Sequence, residues 1–231
     1  VIGRHTQKNT VGAMEQLAPG SAWKWLGLLT VISPILVLSY HSVVGGWSIE
    51  YIFRSLTFSF VPERVEEVSG MFGDFVSSPV RPLVCHFLFL ALSAGIVLAG
   101  VRSGIEKFNK ITIPALFILI IVIMVYSVSL PGAGAGVKYL VKPDFSKLST
   151  DAFSYALGQS FFSLSLGVGT MLTYASYISR EENLMASCCG TAFFDLLFAV
   201  IAGFAVMPAV FAAGLEPSSG PGLVFEVIPY I

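Results

Sequence analysis

Five long apolar runs dominate this chain, at about Leu26–Ile49, Leu83–Val101, Ile111–Leu130, Phe153–Ile178 and Leu184–Ala213. Each is long enough to cross ~30 Å of hydrocarbon, which takes about 20 residues of helix. Inside a bilayer every backbone N–H and C=O must find its partner within its own segment or within a closed barrel. The runs lack the period-2 alternation of barrel strands, so they predict helices. The fold class that follows is an all-α, multi-span membrane protein with about five spans.

The charges agree. Only 12% of the 231 residues are charged against 55% hydrophobic, where a soluble domain carries roughly a quarter charged. Mean hydropathy is +0.81. The charges cluster between the runs: Glu50–Arg81 holds Glu63, Glu66, Glu67 and Asp74 against Arg54, Arg64 and Arg81. Arg102–Lys110 reads as a short basic connection, Leu130–Thr150 as a Gly/Pro-rich loop, and Arg180–Asn183 as a tight turn. With the N-terminus placed inside, Lys and Arg divide almost evenly between the two sides, so the charge bias does not set orientation. A net charge of −1 with no basic stripe gives no hint of nucleic acid. Cys85, Cys188 and Cys189 lie in or beside apolar runs, without the spacing of a zinc site or a disulfide framework, and read as packing residues. With no clear internal repeat, residues 1–231 read as a single transmembrane domain. The first residue is Val1 and Ile231 follows a Pro-Tyr pair in an unfinished segment, which points to an internal piece of a longer chain.

The fourth run carries the richest chemistry. Ser160, Ser163 and Ser165 stand among Gly158, Gly167 and Gly169. Glycine weakens a helix by about 1 kcal/mol relative to alanine, and serine can satisfy backbone groups that a break sets free. A helix broken near Ser163–Gly169 would offer amides to a carboxylate and carbonyls to a cation. The same small residues would also serve close helix packing. Asp195 lies in the fifth run among Phe193, Phe194, Leu196 and Leu197. An acid at mid-membrane costs roughly 2.5–3.5 kcal/mol on insertion scales, so it should face the bundle interior, within reach of the Ser163 region. With no Lys or Arg inside the runs, its partner is a cation or a proton; a protonated acid bonded to a backbone carbonyl is the plainer alternative. In the first run, Tyr40-His41 sits mid-helix and Trp47 fits an interfacial anchor at the helix end. His86 reads as interfacial.

These residues resemble the neurotransmitter:sodium symporters, in particular their bacterial amino-acid transporters. Gly158–Gly169 looks like the family's unwound sixth helix and Thr173–Tyr177 like its cytoplasmic half. Pro34–Trp47 is similar to the third helix, and Gly104–Lys110 to the loop between the fourth and fifth. The resemblance implies part of a LeuT-type inverted-repeat fold: family helices three to seven with the fourth span here broken, the end of the second, and part of the loop after the seventh. It implies sodium-coupled symport of a small, apolar amino acid by alternating access, in the plasma (inner) membrane of a bacterium, and no enzyme.

Residue by residue, the resemblance puts Ser163 and Asp195 among the ligands of a sodium ion that touches the substrate carboxylate. Asp195 stands where several members have Asn and would add a negative charge. Phe162 matches the aromatic lid; Ser165, Val168 and Val37 match the side-chain pocket. Gln159 matches an outer gate and Tyr177 an inner one. His41 departs from the pattern, standing where a tyrosine hydroxyl contacts the substrate carboxylate; an imidazole N–H could donate the same bond. Sodium is then a co-transported substrate, chloride dependence is open, and a homodimer is allowed. The family's first and eighth helices, which supply much of both sites, fall outside the chain. Competing readings are a membrane enzyme using Asp195 and His41 as acid and base, and a scaffold that transports nothing.

Overall fold

The computed structural model describes residues 1–57, 65–142 and 144–215, together with Phe225 and Pro229. The described residues form helices and turns and no strand. In chain order the helices are α1 (Ile2–Thr6), α2 (Thr10–Leu17), α3 (Trp23–Leu56), α4 (Val65–Ser77) and α5 (Arg81–Leu98). A π-helical turn, Val101–Glu106, then leads into α6 (Lys107–Ser129), followed by α7 (Ala133–Val141), α8 (Thr150–Ser163), α9 (Gly169–Ser176) and α10 (Leu184–Ala212).

Four helical segments are long and apolar enough to cross a membrane: Trp23–Leu56, Arg81–Leu98, Ser103–Ser129 and Leu184–Ala212. The fourth apolar run is absent from this set because it is two shorter helices, α8 and α9. Only 6% to 22% of the residues in the four apolar stretches are buried within the chain. So much exposed aliphatic surface has to be covered by lipid or by further protein.

The connections hold more helix than their polarity suggested. The first span runs on to Leu56, so Glu50 and Arg54 are helical and pair across one turn at 2.7 Å. The connection after it contains α4; Glu63 and Arg64 lie outside the described residues. Arg102–Lys110 is helix, not loop: the chain stays helical from Val101 to Ser129, and Lys110 Nζ reaches Glu106 Oε1 across one turn at 2.7 Å. The Gly/Pro-rich stretch after Leu130 holds α7 and a 3-10 turn at Phe145–Lys147.

The chain divides into two compact units. One comprises residues 1–40 and 144–197, the other 41–143 and 198–231. In the first unit, α1 and α2 pack on α9. Arg4 Nη1 donates to the Glu182 carbonyl at 2.6 Å and Gln7 Nε2 to the Ile178 carbonyl at 3.3 Å, tying the N-terminal segment to the tight turn before α10. Thr10 and Ala13 of α2 are fully buried. In the second unit α4 buries Val68 and Phe75. Trp47 packs edge-on against Phe72 and Phe225, with centroids 5.1 and 5.4 Å apart. That corrects its reading as an interfacial anchor: α3 continues past it, and the indole joins an aromatic cluster. Cys85 is buried, as a packing residue should be, with Sγ 3.7 Å from Glu50 Oε2; Cys188 and Cys189 are exposed.

Candidate functional site

The break in the fourth run lies where the serines and glycines accumulate. Helix α8 starts at a Ser149 cap, whose side chain accepts from the Ala152 N–H, and ends at Ser163. Its end is closed by two backbone bonds: Leu166 N–H to the Phe161 carbonyl at 2.8 Å and Ser165 N–H to the Phe162 carbonyl at 3.1 Å. A 6→1 bond enclosing a 5→2 bond is the Schellman arrangement, which needs a left-handed residue just past the helix. Here that residue is Ser165, at φ 52. Left-handed backbone crowds the Cβ of any residue but glycine, and Gly167 follows at φ 78 where a side chain would again be strained. Two positive φ values in three residues turn the chain out of the helix.

Helix α9 restarts at Gly169. Its N-cap is Val168, in extended conformation with φ −98 and ψ 151, and no side chain caps it. Valine has no acceptor, so the first-turn amides of α9 lack the side-chain oxygen that usually meets them. Gly169 itself is a packing position: a Cβ there would stand 2.6 Å from Thr10 Cγ2 and 2.9 Å from the Thr30 carbonyl. This is the close-packing role that the sequence also offered for these small residues.

Ser163, the last residue of α8, donates its hydroxyl to Asp195 in α10, at 2.7 Å to Oδ1 and 2.8 Å to Oδ2. The expected reach between Asp195 and the Ser163 region is therefore present. One hydroxyl proton shared by two oxygens leaves most of a carboxylate's acceptor capacity unused. Among the described residues Asp195 makes no ion pair; the two salt bridges are Arg54–Glu50 and Lys110–Glu106. A carboxylate and a hydroxyl, beside carbonyls released from a helical ladder, are the hard oxygen donors that suit a hard cation. Half-buried Asp195 and the break are thus suited by donor type to a hard cation.

Most remaining sequence candidates fall in the same unit. Gln159 and Phe162 lie exposed on the last two turns of α8, and Val168 is half-buried. Tyr177 ends α9 as its C-cap, its N–H donating to Tyr174 at 3.1 Å, and is exposed. Val37 lies in the part of α3 that belongs to this unit, whereas His41 is the first residue of the second unit.

A broken helix facing a half-buried acid in an apolar bundle has a counterpart among known proteins. The family model described as the sodium:neurotransmitter symporter family matches residues 77–227. The chain belongs to that family. An uncharacterised sodium-dependent transporter of Bacillus subtilis, YhdH, is 37% identical over 231 residues, which is 100% of this chain and 51% of the relative. A similar transporter of Methanocaldococcus jannaschii is 32% identical over 99% of this chain and 49% of its own length. The crystal structure of MhsT in complex with L-phenylalanine superposes with a TM-score of 0.91 at 43% identity, covering 99% of this chain and 52% of MhsT. The chain thus has part of the LeuT-type fold and spans about half the length of these relatives. Because the family consists of sodium-dependent transporters, the membrane-enzyme reading of Asp195 and His41 falls away.

Proposed function

We propose that this chain forms the sodium- and substrate-facing part of a sodium-coupled symporter for an apolar amino acid, working by alternating access in a bacterial plasma membrane. The observation that carries the reading is the Ser163–Asp195 pair at the broken helix. Ser163 and Asp195 contribute oxygen ligands to a sodium ion that neighbours the substrate carboxylate. The uncapped amides of α9 meet the same carboxylate, since helix N-termini favour negative charge. His41 adds an N–H donor in place of the family's tyrosine hydroxyl. Phe162 closes over the substrate; Val37, Ser165 and Val168 surround its side chain. Gln159 and Tyr177 act at the outer and inner gates. Residues 1–231 work as one transmembrane domain in this reading. MhsT is seen with L-phenylalanine, and valines at the two positions proposed to face the side chain suit the same class here, extended from small to aromatic side chains.

Mechanistically, both substrates meet at the break. The cation sits between Asp195 and the amino-acid carboxylate and offsets the repulsion between them, so cation and amino acid each bind more tightly with the other present. A link between two short helices rearranges at lower cost than a continuous ladder, which suits a segment that must present its site to either side in turn. The test is uptake of radiolabelled L-phenylalanine by the intact parent protein in proteoliposomes. Uptake should follow an inward sodium gradient and stop when choline replaces sodium. Sodium-independent uptake, or none of any apolar amino acid, would overturn the reading.

A further inference from the structure

Where α5 ends and α6 begins, the second unit carries an open groove of about 510 Å³ whose lining is almost wholly apolar. Ala91, Leu92, Gly95 and Ile96 of α5 form one wall, and Phe108 and Ile111 of α6 the other. Lys107 is the one ionisable group that lines it. The π-helical turn holds the two walls together: Gly104 lies so close to the Ile96 carbonyl that a Cβ could not fit there, and Ser103 Oγ donates back to the Ala99 carbonyl. Lys107 opens α6 at one end of the span Ser103–Ser129, so its ammonium lies toward a membrane boundary while the groove runs along the apolar helices.

The local charges select the occupant. Lys110 is held by Glu106 at 2.7 Å, which neutralises that carboxylate. Among the described residues no carboxylate pairs with Lys107. An apolar slot with unneutralised basic charge at its boundary end complements a molecule with a hydrocarbon tail and an anionic head. We propose that this groove seats an anionic phospholipid, with an acyl chain between α5 and α6 and its phosphate on Lys107. The proposal requires only that the protein lie in a membrane and does not depend on what it transports.

The test is native mass spectrometry of the intact parent protein, extracted from vesicles of equal phosphatidylglycerol and phosphatidylcholine. The wild type should retain phosphatidylglycerol in preference. Lys107→Gln should lower that retention about fivefold, the scale of one basic residue at an anionic surface. Gly95→Leu fills the slot from a position where an added Cβ meets nothing within 4 Å, so it should fold and lose the same lipid. Lys142→Gln, outside the lining and not paired with Glu106, should retain it. Equal retention of both lipids by the wild type overturns the proposal, as does unchanged retention in Lys107→Gln. Loss in Lys107→Gln with full retention in Gly95→Leu would show surface attraction only and overturn seating in the groove. A cross-link from Gly95→Cys to the remainder of the parent protein would show that protein, not lipid, fills it.

Discussion

Proline-bearing helices in this chain stay whole, while the run that breaks contains no proline. Pro34 lies inside the 34-residue α3, Pro114 inside α6 and Pro208 inside α10. The fourth run has none between Thr150 and Ser176, yet it stops at Ser163 and restarts at Gly169. A proline removes one ladder bond and strains one turn, but its φ stays negative and the chain resumes. Ending a helix inside apolar surroundings takes a left-handed residue and substitute bonds for the released groups. Ser165 and Gly167 supply the first, and the Leu166–Phe161 and Ser165–Phe162 bonds the second. The difference separates a kink, which is mechanical, from a break, which exposes backbone groups to ligands.

Three sets of substitutions in the intact parent probe that difference. The largest effect is expected at the residue the break faces. Asp195→Ala should raise the sodium concentration for half-maximal substrate binding roughly a hundredfold, the upper scale for hydrogen bonds and ligand contacts made by a charged group. A sodium titration of phenylalanine binding measures it.

Next comes Val168, at the restart, which the proposed function puts in the side-chain pocket. In that reading Val168→Phe fills space beside the substrate side chain, and a methylene in an apolar pocket is worth ~1–3 kcal/mol. Uptake of tryptophan should fall about ten- to a hundredfold more than uptake of alanine. Equal losses for the two substrates would remove Val168 from the pocket.

The smallest effects contrast the two kinds of irregularity directly. Gly167→Ala places a Cβ at φ 78 and should cost about 1–2 kcal/mol, read as a lower thermal midpoint. Pro34→Ala in α3 restores a ladder donor and should leave that midpoint unchanged or raise it. If Pro34→Ala were the more damaging of the two, the separation of kink from break would fail.

The break was legible in the sequence because glycine and serine crowd an otherwise apolar run. That Asp195 turns inward was legible because an acid in an apolar helix must face something polar, while Ser163 as its neighbour in one site came from the family resemblance. That Ser165 turns left-handed was not legible: Gly167, also at positive φ, suits that conformation better, and only the pairing of Leu166 with Phe161 marks the serine as the residue that closes α8. Helix within polar connections was also hidden. Glu106 and Lys110 look like loop charges until their one-turn spacing is seen to hold them on one helical face. Trp47 was misread because its aromatic partners, Phe72 and Phe225, are far from it in sequence. Roles taken from family resemblance, for Val37, His41, Gln159 and Tyr177, depend on side chains that no local pattern marks.

The central claim is that Ser163, at the end of α8, joins Asp195 in holding sodium. Its most direct test is the sodium dependence of phenylalanine binding to the intact parent with Ser163 replaced by alanine or by threonine. Threonine keeps the hydroxyl that meets both oxygens of Asp195 and should bind sodium within about threefold of the wild type. Alanine should raise the half-saturating sodium concentration about tenfold or more, since a lost hydrogen bond to a charged group is worth about 1.5–3 kcal/mol. An unchanged sodium half-saturation in Ser163→Ala would contradict the account.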